Sequence, residues 1–554
     1  MRKWFVFSTW LSLGAPIVVK GQFQVAKVVV ADHTNPIVVT EHPAATVVGL
    51  EIIRKGGNAY DAAVAVHFAL AVVMPRAGNL GGGGFAVIRQ ADGSAAALDF
   101  RETAPILAHE QMFLDSAGEV IPDASLFSGL AVGIPGAVAG MWQLYQRGGQ
   151  LPWEDLIAPA IRLADSGFEL TPYQARLWNR FRDHWRQQNP NCPFPFGKQS
   201  FQAGQRIRQP RLAATLRHIA RHKAAGFYRG TIARAIVHTV IQNGGIFTLE
   251  DLQRYTPRWS LPLADTIDSV VILTMPPPSA GGIALIQLYR ILRHYPWDRW
   301  RWNGWPGMWV RLQAMRHVFA ARLQYVGDPR DILVPVHYLI SDRFADSVRA
   351  IIDASLPIAA NDQIREGSQT THYSIVDSMG NAISVTTTLN SNFGSGIYVC
   401  EAGFFLNNEM DDFSVRPGYL NQFGLPGSSV NVVRPGRRPV SSMAPTIVVV
   451  DGQLRYVLGT PGGTTIPTTV FNVLAHLLYY RDNMVIAVAA PRLHYQGIPN
   501  VVFFEKMPWT VWWRLRRRGL MARRRSLGRI SAIGVYPDRR IGVGDPRSDN
   551  AAGR

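Results

Sequence analysis

The segment Gln369-Thr370-Thr371-His372-Tyr373-Ser374 holds the side chain best suited to covalent chemistry. A threonine hydroxyl is a weak nucleophile near neutral pH and needs a base beside it. The α-amino group of the same residue can be that base, with an ordinary pKa of about 7.7–8.0, once the preceding peptide bond is broken. Residues 356–369 include Pro357, Asn361, Asp362, Gly367 and Ser368 without apolar periodicity, which predicts an exposed linker. Residues 372–376 and 382–388 predict strands around the turn Ser378-Met379-Gly380-Asn381. A scissile bond between Gln369 and Thr370 would then lie where a loop enters a strand. Two threonines ahead of a strand are also what β propensity alone favours, so by itself the signal is permissive.

Three further groups bear on the same chemistry. Thr460-Pro461-Gly462-Gly463-Thr464 precedes the apolar run 470–478. Backbone N–H groups of Gly462 and Gly463 at a helix start are donors of the kind that stabilise an oxyanion in acyl transfer. An ordinary loop-to-helix connection has the same composition. Gly81-Gly82-Gly83-Gly84 lacks the Gly-Lys-Ser/Thr ending and the dinucleotide spacing of phosphate loops. It is expected to be a tight turn beneath a site. Arg101, Ser441 and Ser442 suit an α-carboxylate, which arginine engages bidentately. Asn390, Glu409 and Asp412 suit an α-ammonium. Taken singly, such residues are more often solvated or structural.

The elements that must carry these groups are partly readable. Residues 44–55 have helical spacing and stop at Gly56-Gly57-Asn58. Residues 61–73 predict a buried Ala/Val-rich helix with Asp61 near its start. Residues 85–89 and 95–100 predict a hairpin. The stretch 140–350 reads as helical, broken sharply at Pro276-Pro277-Pro278-Ser279-Ala280-Gly281-Gly282.

Of the 554 residues, 47% are hydrophobic and 17% charged, a composition that excludes long disorder. Net charge is +18, but the basic residues cluster in 180–222 and 514–529. That distribution is local decoration, and no nucleic-acid partner is expected. Met1-Arg2-Lys3 followed by apolar residues 4–19 fits a secretory signal over 1–21, too short for the roughly 20 apolar residues of a membrane span. A periplasmic or secreted protein is therefore expected. The two cysteines, Cys192 and Cys400, form no disulfide framework and are expected to be buried free thiols, although one bridge is open to them in an oxidising compartment.

Taken together the chain closely resembles the gamma-glutamyltransferase family. The resemblance is carried by Gly56-Gly57-Asn58-Ala59 with Asp61-Ala62-Ala63, by residues 78–85, and by Asp99-Phe100-Arg101-Glu102-Thr103-Ala104-Pro105. It continues through residues 275–282, Thr370-Thr371-His372-Tyr373-Ser374 and Leu406-Asn407-Asn408-Glu409-Met410-Asp411-Asp412-Phe413. It ends with Pro439-Val440-Ser441-Ser442-Met443, Gly459-Thr460-Pro461-Gly462-Gly463 and Asp545-Pro546-Arg547-Ser548.

This resemblance implies an α+β fold, a four-layer αββα sandwich of the N-terminal-nucleophile hydrolase type. It implies a precursor that cuts itself between Gln369 and Thr370 into a large subunit, 22–369, and a small one, 370–554, which stay together as a heterodimer. Thr370 would be both the processing and the catalytic nucleophile, with Thr388 orienting it. Arg101, Ser441 and Ser442 match the α-carboxylate binders, Asn390, Glu409 and Asp412 the α-amino binders, and Gly462 and Gly463 the oxyanion-hole backbone. Residues 419–438 stand where the family has a lid loop. Glutathione or another γ-glutamyl compound would be the donor, and water, an amino acid or a dipeptide the acceptor, with no metal or cofactor.

Three rivals share the scaffold: a cephalosporin or glutaryl-amide acylase, a transferase of polyglutamate chains, and an unprocessed binding protein without activity. The acylase would not need an α-ammonium site, so Asn390, Glu409 and Asp412 favour the glutamyl head group. Residues 508–525, with Trp512-Trp513-Arg514-Leu515-Arg516-Arg517-Arg518, are the least family-like. Either an anionic membrane surface or plain solvation fits them; a solvated helix with a few anchoring tryptophans is expected.

Overall fold

Small side chains explain how one helix becomes wholly internal. Ala59–Val73 is built from Ala, Val and a few aromatics, and every residue in it is buried. Its cap is Asn58, not Asp61. The Asn58 side chain accepts from the Tyr60 and Asp61 backbone N–H groups, and the Asp61 carboxylate accepts from Asn58 N at 3.0 Å. Asp61 is thus the returning half of a capping box. The preceding helix, Pro43–Arg54, ends at Lys55, and Gly56 follows in the left-handed region at φ 93°. Both helices pack on one face of a sheet. The computed structural model describes residues 24–192, 200–354 and 370–554. The expected signal segment, the linker 356–369 and Gln369 lie outside the described residues.

Two antiparallel sheets face each other. The first has eight strands in the order Val25–Ala26, Ala551–Gly553, Ile37–Thr40, Thr370–Val376, Ala382–Thr388, Gly83–Arg89, Ala95–Asp99, Arg258–Ser260. The second has seven: Val28–Asp32, Arg539–Gly544, Ser531–Val535, Gln453–Gly459, Thr446–Val450, Val270–Thr274, Leu263–Ile267. Val87, Leu273, Val376, Ala382, Ile447, Val457 and Ile533 fill the space between them. Tyr373, Ile375, Ile383 and Val385 turn the other way, onto the helices around Ala59–Val73. Ile272, Val448 and Leu458 meet Ala280–Leu292, Trp305–Tyr325 and Thr465–Leu478 on the far side. Helix, sheet, sheet and helix make the expected four layers.

Both sheets contain strands from before and after residue 369, so neither sheet is built from one side of it alone. Thr370–Val376 pairs with Ile37–Thr40 on one side and Ala382–Thr388 on the other, and the latter pairs with Gly83–Arg89.

The structure corrects three expectations. The helical reading of 140–350 misses the strands Arg258–Ser260, Leu263–Ile267 and Val270–Thr274, the first two of which each edge one sheet. Leu263–Ile267 alternates buried and exposed residues, a period of two hidden among longer helical patterns. Cys192 and Cys400 are not free thiols. They form a disulfide, with Cα atoms 5.9 Å apart across a sequence separation of 208. In 508–525 the tryptophans do not anchor. Val511 and Leu515 of the helix Trp509–Arg517 are buried against Met308 and Leu312, whereas Trp509 is 77% exposed and Trp512 and Trp513 over 40%. The Arg517 guanidinium stacks 3.7 Å from the Trp513 ring. The segment ends in the strand Met521–Arg524, which pairs in parallel with Val501–Phe504.

Candidate active site

Period-two alternation places Thr370. In the register Thr370↔Thr388, His372↔Thr386, Ser374↔Ser384, Val376↔Ala382, all eight side chains share the face between the sheets. That face is apolar at Val376 and Ala382 and polar at its other end. His372 Nδ1 pairs with Thr386 Oγ1 at 2.8 Å, and Ser374 Oγ donates to Ser531 O at 3.1 Å. Burial pushes the His372 imidazole down to about 3, so it is neutral and structural. At the polar end, Thr370 Oγ1 lies 3.4 Å from Thr388 Oγ1, a long contact that points the two hydroxyls at each other. Thr388 Oγ1 also accepts from Asn390 N at 2.7 Å. Asn390 sits in the left-handed region at φ 72°, and its Nδ2 donates to Asn408 O at 3.1 Å.

The glycine run is not the expected tight turn: Gly83 and Gly84 open the strand Gly83–Arg89, which pairs edge to edge with the strand ending in Thr388. A Cβ on Gly82 would stand 2.1 Å from Thr388 O, and one on Gly84 2.3 Å from Thr386 O. Only glycine allows that approach.

Gly462 (φ 143°) and Gly463 (φ 54°) form the turn before the helix Thr465–Leu478. Their strand, Gln453–Gly459, faces Thr370–Val376 across the interior. Gly459 rests on the His372 ring, where a Cβ would meet Cε1 at 2.3 Å. The turn therefore lies at the same end of the facing strands as Thr370.

The head-group residues come together differently from expected. Arg101 is 1% exposed, and it links the carboxylate-binding set to Glu409 and Asp412 of the ammonium-binding set. Its Nη1 donates to Glu409 Oε2 at 2.5 Å, and its Nη2 donates to Asp412 Oδ2. Ser441 Oγ accepts from Met443 N at 3.1 Å, and Ser442 Oγ accepts from Arg322. Burial disfavours the Arg101 charge, but Glu409, Asp412 and Glu102 outweigh it and raise its pKa. Burial also raises Glu409 well above the usual carboxylate range, against the pull of Arg101. A zwitterionic head group matches this cluster ion for ion: its carboxylate suits Arg101 and its ammonium suits Glu409 and Asp412.

Sequence reasoning missed three contributors. Arg322, on Trp305–Tyr325, holds Ser442, and burial lowers it to about 10. It lines a cleft of about 420 Å³, open mouth included, with Asp412, Tyr419, Leu425 and Asn431, so residues of the expected lid form one wall. Glu41 accepts from His372 N (3.3 Å), Arg76 Nη2 (3.0 Å) and Arg529 Nε (3.0 Å), fixing the strand just after Thr370. No local pattern marks these; only the rule that buried charges are paired could have flagged them.

Glu102 is the third, fully buried with its Oε2 3.6 Å from Arg101 Nη1. Among the described residues neither of its oxygens has a hydrogen-bond donor. Burial raises it from 4.5 to about 7. The folded protein holds this proton more tightly than the unfolded chain, so the associated stability is present at low pH and is lost as pH rises from about 4.5 through about 7. Glu102→Gln is expected to flatten that decline and to raise Tm at pH 8 relative to the parent. A Tm–pH series checks it, and an unchanged slope refutes the assignment.

Comparison with known proteins decides the family. The gamma-glutamyltranspeptidase family model matches residues 45–554. The chain belongs to the gamma-glutamyltranspeptidase family. It is 40% identical over 516 residues to the glutathione hydrolase proenzyme of Escherichia coli (strain K12), covering 91% of this chain and 89% of that protein. It is 42% identical over 478 residues to the glutathione hydrolase proenzyme of Pseudomonas sp. (strain A14), covering 85% and 83%. Among solved structures, cephalosporin acylase from Bacillus halodurans matches over 98% of this chain and 99% of its own, at TM-score 0.81 and 26% identity. Helicobacter pylori gamma-glutamyltranspeptidase matches over 56% of this chain and 90% of its own, at TM-score 0.55 and 40% identity. As a member of this family the chain is an enzyme of γ-glutamyl transfer and hydrolysis, on an N-terminal-nucleophile hydrolase fold.

Proposed function

We propose that the chain cleaves itself before Thr370 and then transfers or hydrolyses the γ-glutamyl group of glutathione and related compounds through an ester on Thr370. The observation that carries this is the Thr370 hydroxyl at the head of its strand, facing Thr388, at the same end of the interior as the Gly462–Gly463 turn. Thr370 Oγ attacks the γ-amide carbonyl, and its proton passes through the free α-amine to the departing amine of the donor. The oxyanion faces the backbone N–H groups of Gly462 and Gly463. Water then releases glutamate, or an amino acid or dipeptide accepts the γ-glutamyl group. Arg101, Ser441 and Ser442 hold the α-carboxylate, and Asn390, Glu409 and Asp412 the α-ammonium. The distance from α-carbon to γ-carbonyl makes γ-linked donors fit.

The proenzyme names of the relatives support cleavage into subunits 22–369 and 370–554. So does the match to Helicobacter pylori gamma-glutamyltranspeptidase, nearly complete for that chain and partial for this one. The Cys192–Cys400 bond supports an oxidising, extracytoplasmic location, periplasmic or secreted.

The full-length likeness to a cephalosporin acylase favours an amide acylase as second reading. Buried Glu409 and half-buried Asp412 weigh against it, because a glutaryl group has no ammonium to meet them. Turnover of a chromogenic γ-glutamyl anilide is expected to exceed that of the matching glutaryl amide; the reverse order overturns the choice. Gly462→Ala places a Cβ 2.4 Å from Thr465 Oγ1 and disfavours φ 143°. It is expected to lower kcat about 10²-fold by displacing one oxyanion donor, with a smaller change in KM. Steady-state kinetics on the anilide reads the split.

A further inference from the structure

Cys192 and Cys400 lie on opposite sides of the 369/370 junction, and they are the only cysteines in the chain. We propose that their bond is a staple between the subunits of the mature enzyme, and that it steadies the loop carrying Asn390. The inference rests on the cleavage proposed above.

The packing around the bond brings these two residues together on its own account. The helix Pro172–Gln188 presents Trp185, whose ring lies 4.2 Å from Phe393 and 5.6 Å from Phe405. One turn before Cys192, Asn189 Nδ2 donates to Gly396 O and Asn189 Oδ1 accepts from Tyr398 N, both at 2.8 Å. Tyr398–Val399 and Phe404–Phe405 form a small hairpin, with Cys400 at its turn. Arg211 Nη1 donates to Cys400 O at 2.8 Å. The chain running back from this hairpin reaches Phe393, whose N donates to Arg76 O at 2.9 Å, and then Asn390. Helix end and hairpin belong to different subunits once the chain is cut.

Cleavage changes what the bond does. In the uncut chain it closes a long loop. In the cut protein it turns separation of the subunits into an intramolecular event, with a high effective concentration for rejoining. Its formation is balanced by an external disulfide. The two thiols give up two protons and two electrons, the Cys192–Cys400 bond forms, and the external disulfide leaves as two thiols.

The test uses the full-length mature protein, alkylated with iodoacetamide and run on a denaturing gel with and without a phosphine. One species near full mass without the phosphine and two fragments with it are expected. Cys400→Ser is expected to give two fragments in both lanes. Two fragments in both lanes for the parent overturn the staple and leave the cleavage standing. A single unbroken band in both lanes overturns the cleavage, and the inter-subunit bond with it. In parallel, the phosphine is expected to raise KM for a chromogenic γ-glutamyl anilide several-fold with kcat kept. An unchanged KM in protein shown to be reduced overturns the effect on the Asn390 loop.

Discussion

Thr370→Ala is expected to leave the chain in one piece and to abolish turnover. The loss is on the order of 10⁶ in kcat, the scale seen when a nucleophile that works as a unit with its base is removed. Both effects follow from one atom. The hydroxyl that attacks the Gln369–Thr370 bond is the hydroxyl that later carries the γ-glutamyl ester. The substitution touches little else: Thr370 is a strand residue whose backbone pairs with Thr388 whatever its side chain. Alanine fits that register, so the variant should fold as the unprocessed precursor. Thr370→Ser keeps the hydroxyl and should process and turn over at a reduced rate. A reducing denaturing gel and the anilide assay read both outcomes. A Thr370→Ala protein that still yields two fragments, the smaller beginning at residue 370, would remove Thr370 from the processing step. Retained turnover would remove it from catalysis.

Arg101→Ala has the second largest expected effect, and it falls on binding. Loss of a buried, hydrogen-bonded charge partner costs about 2–5 kcal/mol, so KM for γ-glutamyl donors should rise about 30- to 5,000-fold. Processing should proceed, because Arg101 bonds to Glu409 and Asp412 and not to Thr370 or Thr388. The variant also leaves Glu102, Glu409 and Asp412 close together without their shared cation, which strips stability as well as affinity. Arg101→Lys separates the two losses. Lysine restores a positive charge but not the planar fork, so it should recover most of the Tm and little of the donor affinity. Unchanged KM in Arg101→Ala, measured on protein shown to be folded, would dismantle the head-group clamp.

Local order fully determines some of this molecule. The strand that begins with Thr370, its partner ending in Thr388 and the turn between them follow from alternation and from Met379-Gly380-Asn381. So do the two helices on either side of Gly56-Gly57-Asn58. In each case the causes sit within a few residues of their effect. The family itself was legible because its blocks stand in order along the chain.

Tertiary structure alone decided the rest. Arg101 meets Glu409 and Asp412 only because the sheet order lays the chain after Ala95–Asp99 beside a turn three hundred residues later. Cys192 finds Cys400 through a helix end and a hairpin that no periodicity relates. Glu41, Arg76 and Arg529 converge behind His372 from three separate loops. The strands between 258 and 274 were masked by the helices around them, and their places in the sheets exist only once the sheets form. Contacts between segments far apart in sequence depend on which strands are neighbours. That is set by burial of whole faces, a sum over the chain that no short stretch contains.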